Sequence, residues 1–194
     1  MQYAFQLLPH PNVRYQSALE KLGKAELQCM LLALDVFTEP RVESIGGTPF
    51  LTFECSALNE KALEQLSFLS SVYLWTRRDG EALIPLARPR ERYLPEEMAE
   101  VLKYKGKTNA AFTSLMLNLA RSQSAFFHEK RPLTVLDPLC GKGTTLYCAL
   151  AQGMHAVGLD RDRKDLKEAM DFVNRSLQNQ RIKHSLVQGS RSVP

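Results

Sequence analysis

The chain has 194 residues, 44% hydrophobic and 24% charged, an ordinary globular composition with enough length for one large domain or two small ones. No run approaches the roughly 18 apolar residues of a membrane span, and the opening "MQYAFQLLPHPNVRY" has no basic start and is broken by two prolines, so it does not read as a signal peptide. The net charge of +4 is unevenly held: residues 1–100 carry 10 Lys/Arg against 14 Asp/Glu, and residues 101–194 carry 15 against 7, a basic half that suits either a polyanion or a solvated helix face.

Tyr3–Leu8 alternates with aromatics and predicts a strand, which Pro9 and Pro11 end. From Tyr15 to Leu34 apolar residues recur at helical spacing (Leu19, Leu22, Leu27, Met30, Leu31, Leu34), with Asn12 or Ser17 as cap. "RVESIGGTPFLTFEC" reads as two strands joined at Gly46-Gly47. Asn59–Leu66 predicts a short helix capped by Asn59. "SSVYLWT" predicts a strand with Trp75 in the core, and "RDGEALIPL" turns at Asp79-Gly80 into another. Strand–helix–strand–strand–helix–strand is the order of a ferredoxin-like α+β domain, predicted over residues 1–94 with its linker. The linker, "LARPRERYLPEE", holds Arg88, Arg90 and Arg92, which suit a phosphate clamp or a solvated stretch equally.

Residues 95–194 change character. Thr108–Ser122 predicts a helix with Phe112, Leu115, Met116 and Leu119 on one stripe. Leu133–Leu136 predicts a strand, Thr144–Gln152 a helix, His155–Leu159 a strand, Asp162–Leu177 a helix and Ser185–Gln188 the start of a third strand. Strands alternating with helices imply right-handed crossovers and a parallel sheet. The four cysteines (Cys29, Cys55, Cys140, Cys148) form no CxxC pair, and the four histidines have no ligand spacing. No metal is expected, and a reducing cytoplasm is.

The stretch "LDPLCGKGTTLYCALAQGMHAVGLDRD", Leu136 to Asp162, carries the chemistry. Glycines between a strand and a helix let a ligand approach the backbone and leave the first helical N–H groups for an anion. A P-loop needs a glycine where Leu136 stands and Ser or Thr where Gly143 stands. The dinucleotide fingerprint lacks its third glycine. S-adenosylmethionine offers a carboxylate to the turn and needs an acid for its ribose at the next strand's end. Asp160 ends "HAVGLD", 17 residues beyond Gly143. The pattern favours a ribose-bearing cofactor, S-adenosylmethionine ahead of NAD. Asp137 serves either the ligand or its own turn, Asp162 is the better helix cap, and Cys140 reads as packing rather than nucleophile.

This stretch resembles the first motifs of Rossmann-like S-adenosylmethionine-dependent methyltransferases. Its "DPLCGKGT" is of the form found in nucleic-acid enzymes, both amino-type DNA methyltransferases and RNA guanosine-N2 methyltransferases with an N-terminal ferredoxin-like domain. "YKGKTNAAFTSLMLNLA" resembles the segment preceding that motif in the RNA group, and the first block resembles its N-terminal domain. The resemblance implies that Asp137, Cys140, Gly141, Gly143 and Thr144 form the methionine-side loop, that Asp160 holds the ribose and that Arg161 borders the adenine. Lys107, Thr108 and Asn109 become upstream cofactor contacts. Lys142 replaces the usual serine, and either pairs with the cofactor carboxylate or points to solvent, the reading preferred here.

The family's Asn/Asp-Pro-Pro motif, which holds the target amine, is missing, since no two prolines are adjacent. The resemblance therefore predicts only the first part of the methyltransferase sheet, with a homodimer or a missing C-terminal fragment covering its open edge. Two functions follow as expectations: an RNA methyltransferase lacking its amine-holding groups here, or a non-catalytic cofactor- and RNA-binding module.

Overall fold

The computed structural model describes residues 1–87, 94–95, 98–101, 104 and 106–187. Arg88, Arg90 and Arg92 lie outside the described residues. The first part holds strand β1 (Gln2–Leu7), helix α1 (Val13–Ala33), strands β2 (Arg41–Ile45) and β3 (Thr48–Glu54), helix α2 (Glu60–Leu66), and strands β4 (Val72–Asp79) and β5 (Ala82–Pro85). The second holds α3 (Met98–Val101), α4 (Ala110–Ser122), β6 (Thr134–Asp137), α5 (Thr144–Ala151), β7 (His155–Gly158) and α6 (Arg163–Asn179). The molecule is thus mixed α/β, with a five-stranded antiparallel sheet ordered β2-β3-β1-β4-β5 and a two-stranded parallel sheet of β6 and β7. No described helix is long and apolar enough to cross a membrane.

Alternation along β1 explains the first sheet. Tyr3 pairs with Phe53, and Phe5 with Leu51 and Trp75, all on the buried face. Ala4, between Thr52 and Thr76, faces the other way. Phe53 stacks on Tyr3 at 5.2 Å and meets Phe5 edge-on at 5.2 Å. Trp75 is buried, as expected, and its Nε1–H donates to the Leu66 carbonyl at 3.0 Å. Leu19, Leu27, Met30 and Leu31 of α1 close this core. Asn12 caps α1 by accepting from the Tyr15 N–H, and Asn59 caps α2 from the Ala62 N–H. Gly46 and Gly47 both have positive φ in the β2–β3 turn, a conformation that costs glycine little.

Helix α4 joins the two parts, packing on α1 and on α5. It begins at Ala110 with Asn109 as its cap, not at Thr108. The predicted stripe is corrected too. Phe112 and Met116 are exposed, while Ala110, Thr113, Leu115, Leu117, Asn118 and Ser122 are buried. A helix held between two partners buries small and polar residues on contact lines that a single apolar stripe does not describe. Buried Glu26 of α1 accepts from the Asn118 Nδ2 at 2.6 Å, from the Ser70 Oγ–H at 2.7 Å and from the Ser70 N–H at 3.1 Å. Asn118 Nδ2 also donates to the Phe68 carbonyl at 2.7 Å. One polar knot therefore ties α1, the turn after α2, and α4.

Val135 and Ala156 of the parallel pair face the core formed with α5 and α6. On the opposite face Leu136 and Val157, register partners, are 60% and 47% exposed. The third strand expected at Ser185–Gln188 does not form over the described residues 185–187, which run without regular structure. Both β6 and β7 have one unpaired edge among the described residues.

Candidate cofactor site

At the C-terminal ends of β6 and β7 the chain makes two turns that bind each other. Asp137 closes the first, its Oδ1 accepting from the Leu139 N–H at 3.0 Å. Backbone bonds from the Leu159 N–H to the Asp137 carbonyl and from the Cys140 N–H to the Leu159 carbonyl, both 2.9 Å, stitch the turns together. Gly141 and Gly143 have φ of 51° and 87°, the left-handed region where a side chain is strained. Gly143 is the N-cap of α5, so no side chain caps that helix and no acid stands in its first turn. The helix dipole therefore meets the open turn with its positive end.

Asp160 sits where β7 ends. Its Oδ2 accepts from the Gly141 N–H at 2.7 Å and its Oδ1 from the Asp162 N–H at 2.8 Å. These hydrogen bonds, that from Asp162 first, hold its carboxyl below the usual carboxylate range. An ionised carboxylate offers about four lone-pair sites, and these bonds use two. Asp162 caps α6, accepting from the Lys164 N–H at 2.8 Å, as its position predicts.

Cys140 is buried, and burial, then the Asp137 and Asp160 charges, push its thiol up. A thiol so disfavoured as thiolate is a poor nucleophile, in line with the packing reading. Lys142 departs from its preferred reading as a solvent-pointing side chain. Its Nζ bonds Glu168 and lies 3.7 Å from Asp165, both on α6, and 5.3 Å from the centre of the Tyr104 ring. Two acids one helix turn apart draw the ammonium across the loop. Thr144 is buried and shares a 3.1 Å hydrogen bond with the Tyr104 hydroxyl, which brings the segment before α4 against the start of α5.

The structure thus brings Asp137, Cys140, Gly141, Gly143, Thr144 and Asp160 into one pair of turns. Arg161 is exposed beside them. Lys107 pairs with Glu100 at 3.7 Å, Thr108 is exposed, and Asn109, besides capping α4, brings its Nδ2 within 3.2 Å of His10 Nε2 in the first part. Tyr104 and the Glu168–Asp165 pair were not read from the sequence. The acids at helical spacing in "RKDLKEAM" were the available signal.

Gly158 shows how tightly the turns are built. A Cβ there would lie 2.6 Å from Leu146 Cδ1 and 2.8 Å from Cys140 Sγ. Gly158→Ala is expected to cost about 1–3 kcal/mol by overpacking. A urea titration checks this, and an unchanged midpoint would show that the loop gives way freely.

No family model matches the chain, and neither does any curated protein or solved structure.

Proposed function

We propose that the chain is the cofactor-binding part of an S-adenosylmethionine-dependent methyltransferase acting on a base amine of RNA. In this reading residues 1–94 are a ferredoxin-like domain with its linker, and residues 95–194 the first part of a Rossmann-like domain. The strand order β2-β3-β1-β4-β5, with β5 added at an edge, supports the first assignment. The parallel β6–α5–β7 unit supports the second.

The observation that carries the reading is the ionised Asp160 at the end of β7, fixed against Gly141 and beside the uncapped start of α5. A ribose diol needs an acceptor there, and a carboxylate needs the N–H groups and dipole of α5. The residues present fit the cofactor: nothing lies within 4 Å of where a Cβ would stand on Gly141, the Tyr147 ring backs Gly143, and Asp160 keeps acceptor sites in reserve. Lys142, held by Glu168 and Asp165, shapes the loop rather than meeting the cofactor carboxylate. The "DPLCGKGT" resemblance adds methyl transfer to nucleic acid, RNA rather than DNA because of the N-terminal block. When bound, the cofactor supplies an activated methyl group; the chain's own task is to orient it and keep the turn dry.

A second reading, a non-catalytic cofactor- and RNA-binding module, shares the same pair of turns. The exposed Leu136–Val157 face supports a second copy or a further segment as its cover in either case. Calorimetric titration with S-adenosylmethionine tests the shared core of both readings, and saturable binding at one site is expected. No heat at millimolar cofactor would remove it. Labelled methyl transfer to bulk RNA separates the two.

A further inference from the structure

A second site emerges at the other end of the parallel strands. Between α2, the end of α4 and the loop before β6 lies a cavity of about 320 Å3. Lys61, Arg121, Lys130 and Arg131 line it, with Glu64 and Glu129 as the acids. Arg131 and Glu129 pair at 3.3 Å, which leaves Lys61, Arg121 and Lys130 against Glu64, a surplus of two positive charges. Lys61 and Lys130 are exposed.

Arg121 anchors the floor. Its Nη1 donates to Gln152 Oε1 at 3.0 Å, its Nη2 to Gln65 Oε1, and its guanidinium lies 5.3 Å from the centre of the Phe68 ring. Both acceptors are neutral amides. Burial lowers the Arg121 pKa, and the Glu64 charge offsets this only in part. A half-buried cation so placed favours an incoming anion. Beside it Phe126 is 56% exposed, and its ring lines both this cavity and the adjoining one of about 380 Å3. Cations around a bared aromatic ring suit one ligand class: a phosphodiester whose neighbouring base stacks.

We propose that this groove seats single-stranded RNA, a phosphate over Arg121 and Lys130 and an adjacent base on Phe126. The RNA identity rests on the proposed function; the groove rests on its own residues. It stands at the start of β6 and β7, about 13 Å from the glycine turns by the rise of a four-residue strand. It is therefore a docking site rather than part of the cofactor loop.

The test is fluorescence anisotropy of the whole chain with a labelled oligouridylate across a salt series, duplex RNA serving as competitor. The double variant Lys61→Gln, Lys130→Gln should lower the log–log salt slope by about 1.4 units, at roughly 0.7 per phosphate contact. Phe126→Ala should weaken binding at least about fivefold and leave the slope unchanged. All three side chains are exposed, so the variants should melt with wild type. An unaltered slope and affinity in both variants overturns the groove while leaving an RNA partner standing. No oligouridylate binding at about 50 mM salt, with cofactor binding intact, removes the RNA partner and the groove together. A preference for duplex overturns the stacking role.

Discussion

Replacing Glu26 by alanine should destabilise the protein by about 3–5 kcal/mol and lower its melting temperature by on the order of 10 °C. The carboxylate is 1% exposed and accepts from Asn118 Nδ2 and from both donors of Ser70. Alanine would leave those donors buried without an acceptor and open a void. Asn118 cannot turn to help, because its Nδ2 also serves the Phe68 carbonyl, while its Oδ1 already finds no donor. Glu26→Gln separates charge from shape. Burial raises the Glu26 pKa more than the bonds from Asn118 and Ser70 lower it. The folded state then holds this proton above the ordinary carboxylate range, where the unfolded chain has released it. Its contribution to stability is greatest below the unfolded pKa and falls as pH rises toward the folded one. Tyr15, which senses the same charge, is itself raised by burial and stays neutral across that window. Urea midpoints against pH should show a decline in wild type that is absent from Glu26→Gln. Parallel curves would mean that Glu26 titrates alike folded and unfolded.

Asp160→Ala should weaken S-adenosylmethionine binding about 10- to 100-fold, by loss of a charge-assisted acceptor. The substitution also frees the Gly141 and Asp162 N–H groups, so the loop itself loosens. Asp160→Asn distinguishes the two effects. It keeps one acceptor oxygen but forfeits the charge, and should fall between wild type and alanine. Calorimetry on all three proteins decides. Equal affinities would remove Asp160 from the site, and with it the main support for a ribose-bearing ligand. Because its hydrogen bonds hold the Asp160 carboxyl low, binding should persist into mild acid and fade only as that carboxyl takes up its proton.

Much of the backbone was legible because local chemistry decides it. Asn12, Asn59 and Asp162 each stand where the first helical N–H groups need an acceptor, and Gly46-Gly47 suits only a tight turn. The acid at the end of β7 was legible for the same reason, as strand, turn and helix fix its place. The rest depends on partners far along the chain. Glu26 falls on the buried line of α1 beside Leu19, Leu27 and Met30, yet what satisfies it is 44 and 92 residues away. Phe112 and Met116 obey helical periodicity and still face outward, because α4 is gripped by α1 and α5 along other lines. The solvent reading of Lys142 fails because its acids lie beyond α5 and β7, on α6. Charge counting found the basic half but not the groove, which needs Lys61 from the acidic half.

The first strand made is the middle strand of its sheet. On a ribosome β1 and α1 emerge early, but β1 has no neighbour until Phe50–Glu54 follow, and its second edge stays bare until Val72–Arg78 arrive. The antiparallel sheet therefore closes late and around its oldest segment, with long loops already drawn in, which slows folding and prolongs the exposure of Tyr3, Phe5 and Leu7. Glu26 stays hydrated throughout that interval, since Asn118 is synthesised later still. A nascent chain halted between the two parts would carry a finished sheet and a Glu26 held by Ser70 but still lacking Asn118, a natural early client for a chaperone.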